Sequence, residues 1–110
     1  MKLIVSILLL LSGVYMKAQK VFETKNINQA DIKVLVVDNS YQADLKVYKV
    51  TNSTMADVNR GKWFFTNQAV TASKRIYFTS SAYNADLKIY YVNYESLAGW
   101  VNKEKKSLFN

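Results

Sequence analysis

Cysteine, histidine and proline are absent from this 110-residue chain, and glycine occurs only three times. Without histidine and cysteine there is no zinc finger, thiol protease, Ser-His-Asp hydrolase, disulfide scaffold or haem held by histidine. Acidic residues are scarce, 8 Asp and Glu against 15 Lys and Arg. The one long apolar stretch covers at most residues 3–16, short of the roughly 20 that a membrane-spanning helix needs. The length allows a single domain. Half of the residues are hydrophobic and 14% are aromatic, so a packed core is within reach of so short a chain.

The start of the chain reads as a leader. Met1-Lys2 is followed by an apolar run over residues 3–11, broken only by Ser6, then by Ser12-Gly13 and by Met16-Lys17-Ala18-Gln19. A charged start, an apolar centre and a small residue before a polar one form the pattern of a signal peptide. The expected division is a signal peptide over residues 1–18, cut after Ala18, and one domain over residues 19–110. The expected location is secreted or periplasmic, with no transmembrane segment once the leader is removed. Losing Lys2 and Lys17 leaves 13 basic and 8 acidic residues, a net charge of +5. Small exported domains are usually stapled by disulfides, and this one has none. About 90 residues bury only roughly 60–65% of their unfolded surface, so stability must come from packing or topology.

The rest of the chain repeats itself. Tyr41-Gln42-Ala43-Asp44-Leu45-Lys46-Val47-Tyr48-Lys49-Val50 matches Tyr83-Asn84-Ala85-Asp86-Leu87-Lys88-Ile89-Tyr90-Tyr91-Val92, and Asn28-Gln29-Ala30-Asp31-Ile32-Lys33-Val34 precedes them. Marker alanines stand at 30, 43, 56, 72, 85 and 98, with spacings of 13, 13, 16, 13 and 13. The long interval holds Asn59-Arg60-Gly61 before Lys62-Trp63-Phe64-Phe65. A single offset of 42 maps the first three alanines onto the last three, which suggests two pseudo-symmetric halves of three units each.

Each unit has two parts. Segments such as Leu45-Lys46-Val47-Tyr48-Lys49-Val50 are β-branched and aromatic and have strand length. Their two faces are both largely apolar, as in a strand covered on both sides. Between them lie segments rich in Asn, Asp and Ser, whose side chains bond nearby backbone and hold turns without Gly or Pro. No window shows an amphipathic helix beyond about two turns. The fold class is all-β, built from six strand-plus-turn units of about 13 residues. Periodicity alone fits a small β-solenoid or a pseudo-symmetric β-sandwich.

These repeated Tyr-Gln-Ala-Asp-Leu-Lys-Val-Tyr units, with the central Gly61-Lys62-Trp63-Phe64-Phe65 and the late Ala98-Gly99-Trp100, resemble the septoil-knot domain of small bacterial proteins. The likeness covers roughly residues 20–110. It implies a compact, knotted β domain with a deep seven-crossing path, and it brings no catalytic residues. Ser73 and Gly99 stand where the other units carry Asp.

Candidate chemistry is thin. Asp31, Asp44, Asp57 and Asp86 lie just before strands, where a carboxylate accepts backbone N–H bonds and holds a turn. The Asp-x-Asp-x-Asp crowding of a calcium loop is missing, so no metal is expected, nor any cofactor. Lys33, Lys46, Arg75 and Lys88 share the third position after the marker alanine; Lys62 and Lys106 join them if each half carries an insertion before its last strand. With Tyr48, Tyr77, Tyr90 and Tyr91 nearby, such a ladder suits an anionic glycan, a lipid head group or nucleic acid. Lysines that merely keep the surface soluble would give the same pattern. Val34, Val47, Trp63, Ile76 and Ile89 share one strand position and are expected in the core, with Ala30, Ala43, Ala72 and Ala85 packed beside them. Trp100, after Gly99, is either core or an exposed binding platform. Asn52-Ser53-Thr54 fits a glycan acceptor that has no meaning in most bacteria. The expected function is an exported, non-enzymatic, monomeric domain, a rigid structural or interaction module of the bacterial envelope; the alternative is a polyanion-binding module. Partners are open between an anionic polymer and an envelope protein.

Overall fold

A computed structural model describes residues 19–55 and 59–109. Seven strands run through it: β1 (Lys20–Glu23), β2 (Ile32–Val36), β3 (Leu45–Lys49), β4 (Lys62–Phe65), β5 (Lys74–Phe78), β6 (Leu87–Tyr91) and β7 (Gly99–Trp100). Single turns of 3₁₀ helix lie between most of them, at Ile27–Gln29, Ser40–Gln42, Ser53–Met55, Ala69–Thr71 and Glu95–Leu97. Ala30, Ala43, Ala72 and Ala98 close four of these turns, each donating its N–H to the carbonyl three residues back. The marker alanine therefore stands where the chain leaves the turn for the next strand. Among the described residues no helix is long and apolar enough to cross a membrane.

The turns are made by short polar side chains. Thr24, Asn26, Asn52, Thr66 and Thr79 each accept a bond from the backbone N–H two residues on. These local bonds replace what glycine or proline would supply elsewhere. Ala56 and Asp57 of the central unit lie outside the described residues.

Six strands close into a barrel in the order β4-β1-β5-β2-β6-β3, with β3 pairing back onto β4. Every pairing in the ring is parallel. The short β7 is antiparallel and lies against Leu45 and Lys46 of β3, while β4 takes the next stretch of that edge at Tyr48 and Lys49. The path from β1 to β2 skips β5, and the path from β2 to β3 skips β6. The path from β4 to β5 skips β1, and that from β5 to β6 skips β2. The chain thus goes around the barrel in two passes, β1–β3 and then β4–β6, the later strands slotted between the earlier ones. The starts of β4, β5 and β6, at 62, 74 and 87, each fall 42 residues after those of β1, β2 and β3, at 20, 32 and 45.

This winding differs from both architectures that periodicity alone allowed. A solenoid stacks each unit on the last, whereas here each unit leaves a gap that a later one fills. Closure also removes the open edges that a sandwich would have to protect. Lys20–Glu23 is a strand that no marker alanine announces, and the unit after Ala98 yields only the two residues of β7.

The stagger of the ring explains the core. Following paired residues once around, from Phe64 of β4 through Lys20 of β1, the register returns to β4 at position 52, twelve residues away. Twelve over six strands is two residues per strand. Residues that face inward therefore fall into level layers of six. The middle layer is Val21, Ile76, Val34, Ile89, Val47 and Trp63, and all six are at most 1% exposed. The expected core positions Val34, Val47, Trp63, Ile76 and Ile89 are all here, joined by Val21. Below it lie Gln19, Lys74, Ile32, Leu87, Leu45 and Gly61, at the N-terminal ends of the strands. Above it lie Glu23, Phe78, Val36, Tyr91, Lys49 and Phe65, at the C-terminal ends. Of the marker alanines, Ala43 is buried and Ala30, Ala72 and Ala85 are half-buried.

The lower end is covered by the tail, which leaves a cavity of about 350 Å³ beside Asp86, Lys105 and Leu108. A 3₁₀ segment, Lys103–Phe109, crosses it and buries Phe109 against Trp63 and Trp100, with ring centroids 5.5 Å and 6.0 Å apart. The Trp100 indole N–H donates to the Asn59 carbonyl and side-chain oxygens at 2.9 Å and 3.1 Å. Trp100 is thus half-buried and anchored rather than presented as a flat platform. Asn59 (φ 53) and Gly61 (φ +89) are both left-handed, which brings the chain sharply into β4. A Cβ at Gly61 would collide with the Lys46 carbonyl oxygen.

Candidate functional site

The matched aspartates clasp neighbouring strands. The N–H of Asp31 donates to the Arg75 carbonyl at 2.8 Å, and the Arg75 N–H donates back to Asp31 Oδ2 at 2.8 Å. Asp44 makes the same two-point clasp on Lys88, and Asp86 on Lys33. Asp57 lies outside the described residues. Each carboxylate therefore holds the register of the next strand rather than only its own turn. Ser73, in the position of an aspartate, keeps the first half of the clasp by donating its N–H to the Lys20 carbonyl at 2.7 Å.

The clasped residues carry the cations. Lys20, Arg75, Lys33, Lys88, Lys46 and Lys62 take the first outward-facing position on β1, β5, β2, β6, β3 and β4. They too are staggered by two residues per strand, so they form one level ring around the barrel instead of a straight ladder. Neighbours sit diagonally, about 7–8 Å apart. Lys20 is opposite Phe64, Lys33 opposite Tyr77, Lys46 opposite Tyr90, Arg75 opposite Phe22 and Lys62 opposite Tyr48. Five of the six cations thus stand beside an aromatic residue, and Lys88 stands opposite Leu35. Lys62 pairs with Glu95 at 2.5 Å. Lys106 does not join the ring: it belongs to the tail, where its carbonyl accepts from Asn59 Nδ2. Lys20, which sequence reasoning missed, completes the ring. Its signal was there in the 13-residue step from Lys20 to Lys33 and from Lys33 to Lys46.

The upper mouth is a second cluster. Lys49 lies between Tyr91 and Phe65 in the ring order, and its ammonium stands 4.3 Å from the Tyr91 centroid and 5.3 Å from that of Phe65. Such contacts hold a cation over the negative face of the ring. Phe65 and Phe78 stack with centroids 6.4 Å apart. Burial pushes the Tyr91 phenol up to about 12, and Glu23, three places away around the ring, adds to the rise. Glu23 is itself paired with Lys25 at 2.9 Å. A cavity of about 360 Å³ opens here, lined by Tyr48, Lys49, Tyr91, Val92 and Asn93.

A closed barrel of parallel strands, wound in two passes and filled by layered side chains, defines the structural class. The family model described as the 7(1) septoil knot domain matches residues 18–101, and the chain belongs to that family. No curated protein and no solved structure matches it. A double winding around a ring of strands is a torus path, the type to which a seven-crossing 7(1) knot belongs. Such paths break the usual rule against threaded chains.

Proposed function

We propose that the protein is an exported, non-enzymatic interaction module of the bacterial envelope. The observation that carries this reading is the use of its polar groups. The inside of the barrel is apolar through its middle layer, and Asp31, Asp44 and Asp86 are engaged by backbone amides. A carboxylate bound to a backbone N–H and holding register is poorly placed to exchange protons with a substrate. The side chains left to meet a partner stand on the outside of a rigid frame. Export rests on the leader pattern of residues 1–18. Protein recovered from periplasm or medium should begin at Gln19 or within a few residues of it; full-length protein confined to the cytosol would overturn the reading.

The cation ring favours a second, narrower reading, that of a polyanion-binding module. A linear polymer lying along one flank would meet about three neighbours, such as Arg75, Lys33 and Lys88. The slope of log affinity against log salt should then be about −2 to −3. Thermal-shift titration with heparin, single-stranded DNA and anionic lipid head groups tests this at low and physiological salt. Lys33→Glu with Lys88→Glu should abolish the shift. No shift at low salt with any of the three would remove the polyanion reading.

A further inference from the structure

We propose that the upper mouth of the barrel binds an acidic sugar, whose carboxylate is held by Lys49 and whose ring hydroxyls meet Tyr48, Tyr91 and Asn93. The site borders the outer wall at Tyr48, the neighbour of Lys62, but uses none of the ring cations. Six parallel strands end here together, so their last residues and the connections after them share one rim; the same logic places ligands at the carboxyl ends of other parallel sheets. Two charges face into the mouth layer, Glu23 and Lys49. Glu23 is satisfied by Lys25. Lys49 forms no ion pair among the described residues, and only aromatic faces hold its ammonium. Those faces satisfy charge but accept few of its three N–H bonds, so donors remain for an anionic oxygen.

The other lining groups point to a sugar more than to a bare anion. Tyr48 and Tyr91 each bring a phenol, and Asn93 brings an amide with both donor and acceptor. The Tyr91 phenol, like any tyrosine, keeps its proton at ordinary pH, and so it can donate. The cavity of about 360 Å³ falls at the small end of the range for ligand pockets, suited to one pyranose. Val92 adds an apolar contact, as mixed-character sugars require.

The test is amide chemical-shift mapping on the purified protein, titrated with glucuronate, glucose and acetate. Glucuronate should move the signals of Lys49, Tyr91, Val92 and Asn93, and glucose and acetate should move them far less at equal concentration. Lys49→Met should weaken glucuronate binding about tenfold or more, the usual consequence of losing a charge-assisted bond. Lys49→Arg should retain most of it, which separates loss of charge from loss of fold. Equal response to acetate would mean an adventitious ion only and would overturn the proposal. So would shifts confined to Lys33, Arg75 and Lys88, which would instead favour the outer ring.

Discussion

The two ends of the barrel are built from the same repeat and finished in opposite ways. At the lower end the repeat supplies Gln19, Lys74, Ile32, Leu87, Leu45 and Gly61, and the tail beyond the repeat packs Phe109 there against Trp63 and against Trp100 of the last, truncated unit. At the upper end it supplies Glu23, Phe78, Val36, Tyr91, Lys49 and Phe65, and no such segment among the described residues covers the cavity beside Lys49. The same repeat thus yields an end covered by the tail, with a cavity of about 350 Å³ left beside it, and an uncovered end. The repeat places six residues on each level and makes the middle level core, and the non-repeating tail decides which end level is covered.

The strongest way to break the contrast is at Gly61. It sits in the lower layer with φ +89, and a Cβ there would meet the Lys46 carbonyl. Gly61→Ala should cost about 4 kcal/mol, part from the left-handed backbone and part from displacing β3. Urea unfolding checks it; a cost below about 1 kcal/mol would show that the seam between β3 and β4 is pliable. Phe109→Ala comes next, at about 3 kcal/mol from lost transfer energy and an unfilled space. Val47→Ala, in the middle layer, should cost about 2 kcal/mol. If Phe109→Ala proves cheaper than Val47→Ala, the tail is a loose cover and the two ends are more alike than their packing suggests.

The smallest effect belongs to the open end. The Tyr91 phenol titrates at about 12 in the folded chain and near 10 when unfolded. Between those values the folded state holds more protons. The resulting stability is fully present below about pH 10 and is lost as pH rises toward 12. The ring is only part-buried, so the loss is about 1–2 kcal/mol. Lysines in general titrate in the same window, and Tyr91→Phe is therefore the reference. A wild-type stability curve parallel to that of Tyr91→Phe from pH 9 to 12 would sink this expectation.

Much of the fold was legible because the repeat is short and carries its own punctuation. Ala43-Asp44-Leu45-Lys46-Val47 announces a turn end, a clasp, and alternating inner and outer positions. The core residues Val34, Val47, Trp63, Ile76 and Ile89 could be read from one column of the repeat. β1 is hard to read because Ala18, which precedes it, reads as the end of the leader and stands 12 rather than 13 residues before Ala30, and Lys20 is hidden with it. Lys106 was placed with the cations because the slip in spacing near Gly61 was assumed to recur near the tail; the chain instead turns down at Gly99 and leaves the wall. The mouth cluster was unreadable as a cluster. Its residues recur at 23, 36, 49, 65, 78 and 91, on the spacing of the core column, yet differ so much in chemistry that no residue type marks the column as a site.

By itself the sequence determined the strands, their inward faces, the outward cations and the turns that manage without proline, because each depends on residues within one unit. Only the tertiary structure decided the closed ring, the double winding and the two-residue stagger. Those depend on which strand each clasp reaches, and Asp31, Asp44 and Asp86 reach partners 44, 44 and 53 residues away. A 13-residue repeat fixes what each strand offers its neighbours, but six similar strands offer the same thing. The choice among them is made by the length of the connections and the packing of the filled barrel.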